Sequence, residues 1–87
     1  MAYGELDEYV STASMRTDFQ RLCDLGYRLE CSECAGTTHV ETALAVMGDS
    51  LRWARARLDG AAPDPTQVCV VQPPHCCTDS PSSVCTP

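Results

Sequence analysis

The sequence predicts a small, cysteine-rich α+β fold: an N-terminal helix, a β-hairpin turned at two cysteines, a second amphipathic helix, a short strand and a largely irregular C-terminal tail. Three observations predict it. Apolar residues recur at three- and four-residue steps in two stretches. The stretch between them alternates with period two. Seven cysteines in 87 residues offer the staple that so short a chain needs, because folding hides only about 60–65% of its unfolded surface.

The first helix gathers Leu6, Tyr9, Val10 and Ala13 on one face, then Met15, Phe19, Leu22 and Cys23, with a break near Ser11 to Ser14. Cys23 on that face reads as a small buried hydrophobe. Gly26 is placed to close the helix in the left-handed conformation. Beyond it, Tyr27, Leu29 and Cys31 point to one side of a strand and Arg28 and Glu30 to the other. After the turn, Thr37-Thr38-His39-Val40 reads as the return strand, rich in β-branched residues.

The second helix is predicted from Glu41 to Asp59. Its stripe is Val40, Leu44, Met47, Leu51, Ala54 and Leu58, spaced four, three, four, three and four. Gly60 ends it. Gly48 costs about 1 kcal/mol relative to alanine, so the pattern also admits two shorter helices. Thr66 to Gln72, with Val68, Val70 and Val71, has strand character.

All six prolines lie at or after Pro63 and all five glycines at or before Gly60. That shift divides the chain into an ordered helix–hairpin–helix module, residues 1–60, and a Pro/Ser/Thr/Cys-rich tail, residues 61–87.

Cys31-Ser32-Glu33-Cys34-Ala35-Gly36 has the form C-x2-C-x-G. Two thiolates three residues apart on a tight turn suit one tetrahedral ion, and the glycine lets the backbone bend around the sulfurs. Over about fifteen residues this half-site resembles the knuckle of zinc ribbons. The resemblance implies a structural zinc with two further ligands. No second C-x2-C is present, so they must come from Cys69, His75, Cys76 and Cys77. The preferred set is Cys31, Cys34, Cys69 and Cys76, with zinc as cofactor. Leu29-Glu30-Cys31-Ser32-Glu33 also resembles the L-x-C-x-E motif with which viral proteins bind retinoblastoma-type pocket proteins, but Cys31 is already assigned to the knuckle.

Twelve acidic residues against six arginines give a net charge of −6. Phosphate backbones and anionic membrane surfaces attract basic chains, so neither nucleic acid nor membrane is an expected partner. No apolar run approaches the roughly 20 residues that span a bilayer. The opening residues are acidic where a signal peptide is basic. The expected compartment is therefore the cytoplasm, where thiols more often bind metal than form disulfides. An odd cysteine count agrees with that expectation.

No catalytic constellation is legible. His39 and His75 each lie near cysteines, yet no third orienting group accompanies either. Arg52, Arg55 and Arg57 flank Trp53 near the end of the second helix, where cations suit the macrodipole. The leading expectation is a small intracellular zinc-stabilised binding or regulatory module, not an enzyme, with a protein partner or a second copy on its apolar stripe. The alternative is a ribosomally made peptide precursor with a leader at 1–62 and a core at 63–87. Its Cys69, Cys76, Cys77 and Cys85 stand beside Thr66, Thr78, Ser80, Ser82, Ser83 and Thr86, the residue types that thioether-forming enzymes join. A third possibility is disulfide pairing confined to the four tail cysteines, which allow three connectivities.

Overall fold

The computed structural model describes residues 1–85. Thr86, which the precursor reading includes, and the final residue of the tail lie outside the described residues. Four elements follow in order: β1 (Ala2–Gly4), α1 (Thr12–Asp24), β2 (Ser32–Cys34) and α2 (His39–Leu58). The architecture is α+β, two helices with a two-stranded parallel sheet.

The sheet replaces the expected hairpin. Ala2 pairs with Ser32, Tyr3 with Glu33 and Gly4 with Cys34, all in parallel. A parallel pair needs a crossover, and α1 supplies it. The intended return strand instead opens α2, where the Thr38 N–H donates to Glu41 Oε1 at 3.0 Å as one arm of a capping box. His39 and Val40 are already helical.

The expected strand at Thr66 to Gln72 is also absent. The backbone turns through 65–69, and Cys69 takes a left-handed φ of 56°. The tail reaches the sheet elsewhere. His75 bridges Cys34 on the side of β2 away from β1, its N–H donating to the Glu33 carbonyl at 3.0 Å and its carbonyl accepting from Ala35 at 2.7 Å.

α1 begins at Thr12 because the preceding residues satisfy a carboxylate instead. Asp7 Oδ1 accepts from the Tyr9 and Val10 N–H groups, each at 2.8 Å. The Ser11 hydroxyl then caps the helix by accepting from the Ser14 N–H. Gly26, at φ 97°, follows the helix as expected. α2 is continuous through Gly48.

Three disulfides join Cys23 to Cys69, Cys34 to Cys77 and Cys76 to Cys85. Two of them tie the tail to the first half of the chain. They overturn the zinc knuckle, because sulfurs bonded to each other have no thiolate to offer an ion. They also correct the compartment: three disulfides in a chain of 87 residues belong to an oxidising setting, not a reducing cytoplasm.

The core consists of two small clusters. Tyr3, Phe19 and Cys31 form one, with Met15, Cys23 and Leu29 packed against it. Cys34, Ala45 and Cys77 form the other, beside Val46. Only Thr42 and Ala45 of α2 are fully buried. α2 comes this close because residue 4 is glycine: a Cβ there would strike the Thr37 carbonyl and the Thr42 hydroxyl. Thr37 Oγ1 donates to the Cys34 carbonyl at 3.0 Å and meets Thr42 Oγ1 at 2.8 Å, so this buried polar contact is satisfied. The stripe from Val40 to Leu58 faces away from both clusters. Among the described residues no helix is long and apolar enough to cross a membrane.

Candidate functional site

The four expected metal ligands go to four different places. Cys34 is bonded to Cys77, Cys69 to Cys23 and Cys76 to Cys85. Among the described residues Cys31 is the one free cysteine, buried beside Tyr3 and Phe19. Among the described residues no group of three or more His, Cys, Asp or Glu is disposed to hold a metal ion. Zinc does not fit the residues present.

The histidines are also separated. His39 Nδ1 lies 2.8 Å from Asp7 Oδ2, and its ring meets Tyr9 edge-on with centroids 5.3 Å apart. Burial pushes the Asp7 carboxyl up, but the Val10 and Tyr9 N–H bonds and His39 outweigh it and hold the group below its usual range. The pair borders a cavity of about 210 Å³ that Met15 and Val46 also line. Thr42 reaches the same cavity, but its hydroxyl is taken up by Thr37 and the Thr38 carbonyl. His75 Nδ1 lies 3.3 Å from the Pro73 carbonyl oxygen.

A larger cleft of about 540 Å³ opens between α2, the segment leading into β2, and the tail after His75. A volume in the range of roughly 300–1,000 Å³ is typical of small-ligand sites. α2 contributes Val46, Asp49, Ser50 and Trp53, a ridge at three-, one- and three-residue steps beside the exposed stripe. Arg28, Leu29 and Glu30 form the opposing wall. Cys76, Cys77 and Thr78 close the third side, fixed there by two disulfides.

Trp53 is the cleft's aromatic wall. Its indole N–H donates to Glu30 Oε2 at 3.0 Å across the opening. The Arg57 guanidinium stacks over its ring at 5.0 Å, a cation–π contact. One turn earlier on α2, the half-exposed Asp49 accepts from Thr78 Oγ1 at 2.8 Å and pairs with Arg52. Those two bonds hold its carboxyl below the usual range, so it carries full charge at neutral pH. An indole, aliphatic side chains and two carboxylates from separate segments thus converge on one hollow.

The sequence draws attention to Trp53 only through the arginines that flank it, which it assigns to the helix dipole. It does not assign Glu30, Asp49 or Thr78 to a binding site. The available signal was the second row of α2, where Val46, Asp49 and Trp53 share a face, but it is weaker than the six-residue apolar row beside it. No protein-family model, curated protein or solved structure matches the chain.

Proposed function

We propose that this protein is a disulfide-stapled binding module that acts by recognition, without catalysis, through the cleft under Trp53. The convergence of Trp53, Glu30 and Asp49 on one cavity carries the reading. Its ligand pairs an apolar body, which lies against the indole and Leu29, with an ammonium or guanidinium group directed at the carboxylates. Either a small amine or a basic side chain of a protein partner has that chemistry. The staples suit such a role, since a cleft wall fixed by covalent bonds loses little freedom on binding.

The test is titration of Trp53 fluorescence in the oxidised protein with a panel of alkyl and aryl amines, using the matching carboxylates as controls. Saturable changes with amines alone are expected, weakened about tenfold in Glu30→Gln, the loss of one charge-assisted contact. Equal responses to amines and carboxylates, or none that saturate, would overturn the reading. What counts against the peptide-precursor alternative is the state of its sulfurs. Each of the tail cysteines that a thioether scheme would use is engaged in a disulfide.

A further inference from the structure

We propose that two copies of this chain pair antiparallel along the outer face of α2. The six residues that read as a heptad stripe are exposed to solvent: Val40, Leu44, Met47 and Leu51 are 57–66% exposed, Leu58 is 88% exposed and Ala54 is exposed as well. An apolar row running the length of a 20-residue helix is rare on a monomer's surface and marks an interaction site. The opposite face of α2 already supplies the core through Thr42 and Ala45, so the stripe has no intramolecular use.

The register identifies the occupant. Leu44, Leu51 and Leu58 form one seven-residue column, and Val40, Met47 and Ala54 form the other. In an antiparallel pair, residues of one column face the other column of the second helix. With the two-fold axis crossing the stripe midway between Met47 and Leu51, Val40 meets the partner's Leu58, Leu44 the partner's Ala54 and Met47 the partner's Leu51. Every position in the stripe finds a partner, and the small Ala54 lies opposite a leucine.

Charge selects the same orientation. Glu41 borders the first turn of the stripe, and Arg55 and Arg57 border its last. Antiparallel pairing sets Glu41 near the partner's Arg55 on both sides of the axis and opposes the helix dipoles. Parallel pairing would crowd four arginines together at one end. Arg55 can turn to that contact, since its side chain is 85% exposed and its pairing with the exposed Asp59 is loose, at 3.8 Å. Glu41 is held ionised at the border of the stripe, since hydrogen bonds from the Thr38 N–H and hydroxyl keep its carboxyl below the usual range.

Sedimentation velocity of the full, oxidised chain from micromolar to about 1 mM tests the pairing, with intact mass and far-UV circular dichroism confirming three disulfides and unchanged helix in every variant. A monomer–dimer equilibrium is expected. Leu51→Glu should weaken it by more than about 100-fold, because two carboxylates would be buried without partners. Arg55→Glu should weaken it about 5-fold through two like-charge contacts, and adding Glu41→Arg should restore it. A chain that stays monomeric throughout overturns the proposal. So does a dimer indifferent to Leu51→Glu, whose seam lies elsewhere, or one strengthened by Arg55→Glu alone, as the parallel arrangement requires.

Discussion

Arg16 on α1 grips Glu33 in β2 with two nitrogens, Nε at 2.9 Å from Oε1 and one terminal nitrogen at 2.8 Å from Oε2. Glu33 is 1% exposed, whereas the arginine side chain remains 47% exposed. The pair therefore brings a carboxylate into the centre of the sheet and answers it from the rim. Tyr3 lies beside it. Burial pushes the phenol well above its usual range, reinforced by Cys31 and Glu33, so it remains a neutral hydroxyl.

Removing the arginine should be far worse than removing both partners. Arg16→Met leaves a buried charge without compensation and should lower the melting temperature by on the order of 10 °C. The double change Arg16→Met with Glu33→Gln should recover most of that loss. Thermal melts of the three proteins, followed by circular dichroism, check it.

The disulfides should differ in worth according to the loop each closes. Cys34–Cys77 and Cys23–Cys69 span 43 and 46 residues, and Cys76–Cys85 spans 9. Loop-closure entropy assigns about 4 kcal/mol to each long bridge and about 2.5 kcal/mol to the short one. Paired Cys→Ala variants, compared by urea denaturation, should follow that order. Loss of either long bridge should bring the fold close to its limit of stability.

Gly4→Ala should destabilise the protein by about 1–3 kcal/mol, the usual cost of forcing atoms into a packed site. The new methyl meets the Thr37 carbonyl, which is backbone and has no rotamer to escape into. β1 or the start of α2 must move instead. Amide exchange at Glu5 and Leu6, whose N–H groups donate to the Cys34 and Thr37 carbonyls, should accelerate in parallel with the fall in stability.

Acid should weaken the fold through Asp7, Glu41 and Asp49, all held below the ordinary carboxylate range. A carboxyl with a lowered folded pKa favours the folded state above its unfolded value, about 3.9 for aspartate. That contribution fades as pH falls through the folded value. The melting temperature should thus be flat from about pH 7 to 5 and drop between about pH 4 and 2. Asp7→Asn should be less stable at neutral pH and should shallow the drop.

Much of the helical framework was legible because its signals are local. α2 falls within two residues of its predicted start and one of its predicted end, bounded by Thr38 and Gly60, and Gly26 follows α1 as expected. The partner of β2 was not legible, because Ala2–Gly4 is too short for alternation to register. Nor was the buried face of α2, which is made of Thr42 and Ala45 while its largest apolar residues point outward. Periodicity finds the apolar row and says nothing of which side the protein lies on. The C-x2-C turn misled for a related reason: Cys34 begins a bridge to Cys77 that depends on the whole path of the tail. Sequence spacing alone does not encode that path.

The bridges Cys23–Cys69 and Cys34–Cys77 straddle every peptide bond from residue 34 to residue 69. A protease that cuts the exposed segment after Gly60 would therefore leave one molecule, its mass raised by a single water. The pieces would part only on reduction. Covalent continuity of the backbone and integrity of the fold are separate properties here, and a non-reducing gel of clipped protein would show one band where a reducing gel shows two.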